Sequence, residues 1–410
     1  MNDDSELTSL IYGHDRLPRI VAVERAGDRQ VRLFRRFTDD RVETELVPFE
    51  PWLVTTRAGA EAVGNSPTLA CTELTGELPL RNLVTFPSWS RFLDARQRLR
   101  DGNVPAIALG NPASQYLTRS GRTLFIDMTF DNLVRLQIDI ETRGLDPAVP
   151  DASVILIAIA SNRGHREVID AAALGEGPAL ERFADRIREI DPDVVEGHNI
   201  FNFDLPYLLT RARRHGVRLN LGRDVSEPRL GNTRRVKFGP RSVPFQSVHI
   251  YGRHIIDTYQ QIQRYDAAGE LESYRLKDAI DALGMTRSDR VLIAGDRVAS
   301  VFDEDRSSAY AYSLGDVEDT ALLSSLATPT EFYQTQLIPR SLQDVAVGGP
   351  GEKINSLLLR VYLGQHHSLP LPDRPKPYPG GYAEVRRSGV FHNVVKCDVE
   401  SLYPAIMLTR

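Results

Sequence analysis

Two strand-like runs lie close together in the middle of this chain, Leu133 to Ile140 and the wholly apolar Val154 to Ala160. A third strand-like run covers Arg166 to Ile169. An amphipathic stretch from Ala179 to Ile190 then reads as a helix, Val194-Val195-Glu196 as a short strand, and Asp204 to about His215 as another helix. Strands alternating with helices at this spacing predict an α/β core built on a mixed sheet.

The flanks have a different rhythm. Up to about Phe130 the chain reads as short strands and turns, with strands at Ile20–Val23, Gln30–Phe34 and Trp52–Val54 and a helix over Ser90–Arg100. This predicts a small α+β domain. A basic, turn-rich stretch runs from Arg223 to Ser247, where Arg234–Phe238 and Val248–Tyr251 can pair around Gly239-Pro240 as a hairpin. Helices are expected over Tyr274–Leu283, Ser307–Leu326, Glu331–Val347 and Lys353–Gln365. Pro370–Gly381 reads as a linker or exposed loop, and Asn393–Asp398 as a strand. At 410 residues, two or three domains are expected.

Composition excludes several classes. No apolar run approaches the roughly 18 residues needed to span a bilayer, so no membrane association is expected. The polar, acidic start is not a signal peptide. Cys71 and Cys397 supply neither a disulfide framework nor a zinc set, which fits a reducing, cytoplasmic setting. The net charge of −5 does not exclude nucleic acid as a partner, because binding depends on local patches. Between Arg211 and Arg264 there are about a dozen Lys and Arg, interleaved with Phe238, Phe245, Tyr251 and Tyr259. Such a stretch is either a solvated surface or a strand-binding one.

The informative acids interrupt the apolar pattern. In Leu136-Gln137-Ile138-Asp139-Ile140-Glu141-Thr142, the carboxylates of Asp139 and Glu141 sit at i and i+2, on one face of a strand. Two acids there repel and lose hydration unless a cation lies between them. An edge strand with a solvated face is the alternative, and the flanking apolar residues argue against it. Asp204 opens a helix after Asn199-Ile200-Phe201-Asn202-Phe203, where an acid can serve simply as an N-cap. Tyr312 and Asp316 share a helix face at i and i+4. Asp319 lies on nearly the same face, and periodicity does not separate it from Asp316.

Taken together, these segments resemble the three exonuclease motifs of the family B (alpha-type) DNA polymerases. Asp139-Ile140-Glu141-Thr142 is similar to the first, Asn199 to Asp204 (Asn-x3-Phe-Asp) to the second, and Tyr312 to Asp316 (Tyr-x3-Asp) to the third. Tyr251 to Tyr259 resembles the strand after the family's hairpin, and Ser273-Tyr274-Arg275-Leu276 the start of its next helix. Tyr378-Pro379-Gly380-Gly381-Tyr382 resembles the loop between exonuclease and polymerase domains. Asp398-Val399-Glu400-Ser401-Leu402-Tyr403-Pro404 resembles polymerase motif A, with Ala405 where the family usually has Ser. Before residue 130 only Pro48 to Trp52 is similar.

The resemblance implies a multidomain α/β and α+β protein. Residues 1–130 would be a family B N-terminal domain, with 331–368 packing back on it. Residues 131–330 would form an RNase H-like (DnaQ-like) 3′→5′ exonuclease domain, and 369–410 the incomplete start of a polymerase palm. It implies that Asp139, Glu141, Asp204 and Asp316 hold two Mg2+ or Mn2+ ions, the arrangement that activates water and steadies the leaving oxygen. Tyr312 would orient the attacking water. Asn199 and Phe203 would position the terminal nucleotide, and the hairpin with Arg234, Arg235 and Lys237 would handle the frayed primer. Asp398 would bind polymerase metals, the amides of Ser401 and Leu402 would meet an incoming dNTP, and Tyr403 would exclude ribonucleotides.

The partners implied are single-stranded DNA and primer-template DNA, in a nucleoid-associated setting. No second catalytic aspartate or fingers helix follows motif A before Arg410. The chain alone is therefore not expected to extend a primer, and a C-terminal polymerase chain would have to complete it. The competing expectation is a DNA-binding or assembly subunit of a split polymerase, without catalysis of its own. A free-standing ribonuclease would leave residues 378–404 without a purpose.

Overall fold

The structure, a computed structural model, describes residues 9, 11–64, 69–238, 241–371, 382 and 384–409. The chain divides into two units, Met1–Leu371 and Pro372–Arg410. The first begins with an antiparallel meander of β1 (Ile20–Ala26), β2 (Gln30–Arg36) and β3 (Val42–Pro48). A second sheet follows, from β4 (Trp52–Thr55), β5 (Ala70–Glu73), β6 (Asn82–Thr85) and β7 (Ala106–Ile107), in the order β5-β6-β4-β7. The helix Trp89–Asp101 is capped by Ser88 and buries Trp89, Phe92, Ala95 and Leu99 on one face.

The expected mixed sheet is present. Its strands are β8 (Arg135–Arg143), β9 (Ser153–Ser161), β10 (Arg166–Asp170), β11 (Val194–Gly197) and, after a hairpin, β14 (His254–Asp257). The order is β10-β9-β8-β11-β14. β10, β9 and β8 pair antiparallel, while β8, β11 and β14 run parallel. The hairpin consists of β12 (Arg229–Phe238) and β13 (Arg241–His249), longer than the sequence suggested. Its expected turn at Gly239-Pro240 lies outside the described residues, as does the Tyr378–Gly381 loop.

β8 alternates between two kinds of face. Leu136, Ile138 and Ile140 join a core with helices Glu176–Ile190 and Asp204–His215. The opposite face carries Arg135, Gln137, Asp139 and Glu141. It is covered by the long helix Arg306–Ala327, started by Asp305, whose side chain accepts from the Ser308 N–H. That helix offers Ser313, Asp316, Asp319, Thr320 and Ser324 among its buried residues, so it is built to meet a polar face. Gln137 donates to Glu196 Oε2 at 2.6 Å, and Ser324 donates to Glu196 Oε1 at 2.7 Å.

Two expectations are corrected. The continuous helix over Glu331–Val347 is broken into Pro329–Thr335 and Leu342–Val347. Pro339 has no N–H to donate, and Ser341 caps the second piece. These pieces pack into a core with β1 and β2 through Phe332, Leu342 and Ala346. Leu359 and Leu363, from helix Pro350–Gly364, cluster with Trp52 and Val54. The strand expected at Asn393–Asp398 is not formed. A strand exists through its ladder with a neighbour, and no described segment pairs with these residues. In the second unit, Leu402–Thr409 is helical and exposed. Among the described residues no helix is long and apolar enough to cross a membrane.

An ion network joins β2 to the sheet that follows. Arg36 Nε donates to buried Asp193 at 2.6 Å, and Arg223 Nη2 reaches the other carboxylate oxygen at 2.8 Å. Burial pushes Asp193 upward, yet Arg223 and Arg36 hold its pKa below the ordinary value. Arg36→Met leaves a buried charge half-paired and is predicted to cost about 3 kcal/mol in urea unfolding. A loss below about 0.5 kcal/mol contradicts this role for the network.

Candidate metal centre

The acids singled out in the sequence meet where the parallel strands β8, β11 and β14 end. Asp139, Glu141 and Asp316 each place a carboxylate oxygen within 4.8 Å of the others'. Asp139 lies opposite Ala158 on β9, whose small side chain leaves room above the strand. Asp139 and Glu141 are half-buried and Asp316 is buried. Asp204 is also buried, as the first residue of its helix. It stands near enough to add repulsion at Asp139, but is not one of the three whose oxygens converge.

Nearby groups shape this cluster. Ser313 donates to Glu141 at 3.3 Å. Tyr312 is buried one turn before Asp316. Lys277 Nζ lies 3.6 Å from Asp316 and 4.1 Å from the centre of the Tyr312 ring, and it contacts the Tyr312 hydroxyl. Arg290 grips Asp316 and reaches Asp319 at 2.7 Å. A Cβ at Gly315 would sit 2.1 Å from that guanidinium, so glycine is what lets Arg290 cross the helix. Asp319 is thereby committed to Arg290 and to Arg287, 3.5 Å away. That separates it from Asp316, which sequence periodicity did not.

The electrostatics are those of uncompensated negative charge. Burial first, and then Glu141, Asp316 and Asp204, raise Asp139 well above its ordinary value. Burial and Asp316 push Glu141 up to about 8. Asp204 is pushed up to about 7, mainly by burial, with Asp257 adding repulsion. Burial and the neighbouring carboxylates hold the Tyr312 hydroxyl protonated, far above the usual phenol range. Three converging hard oxygens with unfavourable mutual charge fit a divalent cation of the magnesium or manganese type.

The second motif serves this end of the sheet too. Asn199 takes a positive φ of 70°, and its N–H donates to Asp257 at 2.8 Å. Asp257, buried and pushed up to about 7 by that burial, also accepts from Tyr259 N at 3.0 Å. Phe203, half-buried, packs its ring 5.5 Å from Tyr207. Sequence reasoning missed Asp257, Lys277 and Arg290. A strand-terminal acid after Ile255-Ile256 was the available signal for Asp257. Nothing local marked Lys277 or Arg290.

The remaining expected residues lie elsewhere. Arg234, Arg235 and Lys237 are exposed on β12. Arg234 is 3.5 Å from Asp344, and Arg235 binds Ser242 across the hairpin. Asp398, Ser401, Leu402 and Tyr403 are exposed in the second unit.

Residues 176–279 match the family model described as DNA polymerase family B, exonuclease domain. Over that span the chain is similar to the exonuclease domain of family B DNA polymerases. It is 31% identical over 251 residues to a DNA polymerase of Thermococcus litoralis, covering 57% of this chain and 14% of that protein. With the DNA polymerase of Thermococcus gorgonarius it shares 29% identity over 320 residues, 73% of this chain and 39% of that one. The chain thus spans well under half the length of these relatives. The family B DNA polymerase from Pyrobaculum calidifontis shares the fold, with a TM-score of 0.67 at 20% identity, covering 87% of this chain and 51% of that one.

The raised pKa values of these buried carboxyls set how stability varies with pH. The ordinary values are 4.5 for Glu141 and 3.8 for Asp204, and the folded values are about 8 and about 7. The folded state therefore holds more protons than the unfolded state across that interval, and stability falls as pH rises through it. In EDTA, Tm is predicted to drop between about pH 5 and pH 8, and millimolar Mg2+ to recover the loss at pH 8. A metal-free Tm that rises over this range contradicts the electrostatics.

Proposed function

We propose that this chain removes nucleotides from the 3′ end of single-stranded DNA by metal-assisted hydrolysis. The observation that carries the reading is the convergence of Asp139, Glu141 and Asp316 beside Tyr312 and Asp204. Two bound Mg2+ or Mn2+ ions would supply charge neutralisation and polarise the phosphate. Asp139, Glu141 and Asp316, with Asp204 beside them, would hold those ions. The protonated Tyr312 hydroxyl would orient a water for in-line attack on phosphorus. The P–O3′ bond then breaks, releasing a nucleoside 5′-monophosphate and leaving a new 3′-hydroxyl. Lys277, already beside Asp316 and Tyr312, would steady the charge on the phosphate. Asn199 and Phe203 would seat the terminal nucleotide.

The reading extends to the rest of the chain. Residues 1–130 with 331–368 would form the N-terminal domain, and 369–410 the beginning of a polymerase palm in which Asp398 binds metal. Primer-template DNA would be shared between the two activities of the longer protein. A second reading, a DNA-binding subunit without catalysis, draws on one observation: Arg290 and Lys277 already partly neutralise Asp316.

A 5′-labelled single-stranded oligonucleotide with Mg2+ separates them. Stepwise 3′ shortening is expected. Asp139→Ala with Glu141→Ala should lower its rate on the order of 10³-fold, and Tyr312→Phe about 10²-fold. A well-folded chain that leaves the oligonucleotide intact would establish the second reading. On the hairpin, Arg234→Ala with Lys237→Ala is predicted to reduce the slope of log affinity against log salt for single strands by about 1.4. An unchanged slope removes these residues from the DNA path.

A further inference from the structure

The turn of the second motif is fastened to the hairpin by one exposed side chain, Asn202. Its Oδ1 accepts the Gln246 N–H of β13 at 3.1 Å, and its Nδ2 donates to the Pro244 carbonyl at 3.4 Å. In an extended strand the N–H of one residue and the C=O two residues before it point the same way, so a single amide can take both. Next to this clamp the buried rings of Phe201 and Phe245 lie 5.2 Å apart. A polar clamp and an aromatic contact thus fix β13 against the Asn199–Asp204 turn.

The same Nδ2 also donates to Oδ1 of Asn199 at 3.3 Å. Asn199 is held through its backbone as well. Its N–H donates to buried Asp257, and its carbonyl accepts the N–H groups of Asn202 at 3.1 Å and Phe203 at 3.0 Å. These bonds keep it at its positive φ of 70°, a region that asparagine visits more readily than most residues. Of its polar atoms, only Nδ2 has no partner among the described residues. Because Asn202 takes the oxygen, the half-buried Asn199 amide is fixed with its two N–H donors on the other branch. The turn ends at Asp204, beside the carboxylate cluster.

A donor already held in one orientation loses little freedom when a ligand meets it. Asparagine amides of this kind suit the oxygen and nitrogen acceptors of a nucleotide. The clamp on β13 makes that orientation depend on where the hairpin sits.

We propose that Asn202 is a positioning residue, coupling strand β13 to the seat of the 3′-terminal nucleotide by orienting the Asn199 amide for an acceptor on that nucleotide. The coupling takes from the exonuclease reading that the 3′ end of a strand is bound here. It adds that the hairpin and the seat are set together, through a residue that itself touches no substrate.

The test uses the full chain carrying Asp139→Ala and Glu141→Ala, which stops turnover, and a single-stranded oligonucleotide with 2-aminopurine as its 3′-terminal base. That base brightens when it unstacks from its neighbour and is seated. Saturable brightening is expected. Asn199→Ala and Asn202→Ala should each weaken half-saturation about fivefold, and the two together no more than Asn199→Ala alone. Asn202→Ala should also speed hydrogen exchange at the Gln246 amide about fivefold. Asn202→Asp still accepts from Gln246 but has no donor for Asn199. It should weaken the seat as Asn202→Ala does while Gln246 stays protected. No saturable brightening, losses that multiply in the double variant, or an Asn202→Asp chain that binds like its parent overturns the proposal. So does unchanged Gln246 exchange in Asn202→Ala. If the chain with Asp139 and Glu141 intact fails to shorten the strand while this pattern holds, the exonuclease reading falls and the coupling stands.

Discussion

The arrangement around the mixed sheet depends on burying like charges together at its end. β8 gives one face to the hydrophobic core and the other to polar side chains, and a single helix covers the polar face. Gln137 and Arg135 satisfy the first half of that face through Glu196 and Ser324. At Asp139 and Glu141 the helix Arg306–Ala327 offers one hydroxyl, Ser313 to Glu141, and adds the further carboxylate of Asp316. The surrounding structure accepts a local instability that a bound cation, or protonation of the carboxyls, relieves.

The rest of the domain holds that conflict in place. The parallel trio β8, β11 and β14 brings the first motif, the Asn199–Asp204 turn and Asp257 to one edge. Arg290, passing over Gly315, commits Asp319 to a structural ion pair and restrains Asp316. Lys277 approaches from its own short helix and connects Asp316 with Tyr312. Positive charge is thus available at one side of the cluster, where a phosphate would need it. The ion network of Arg36, Arg223, Asp191 and Asp193 fixes the same strands from the other end.

Much of this was legible in the sequence because it is local. The strand pair around Asp139, the helix opened by Asp204 and the Tyr312–Asp316 face follow from periods of two and about four. The hairpin followed from a turn signal, though its length did not. The break at Pro339 was written in the sequence and overridden by the apolar pattern around it. The strand at Asn393–Asp398 failed for another reason: apolar residues mark what prefers a ladder, while the ladder needs a partner. Arg290 and Lys277 were invisible because their roles come from tertiary contacts 26 and 39 residues along the chain from Asp316.

The central claim is that Asp139, Glu141 and Asp316 form a metal centre. A crystal grown with Mn2+ and a short single-stranded oligonucleotide tests it most directly, through anomalous scattering at the manganese edge. The account predicts a manganese peak bounded by oxygens of Asp139, Glu141 and Asp316, with the 3′-terminal phosphate beside it. A map with no peak there, and with Asp316 still paired to Arg290 and Lys277, would contradict it.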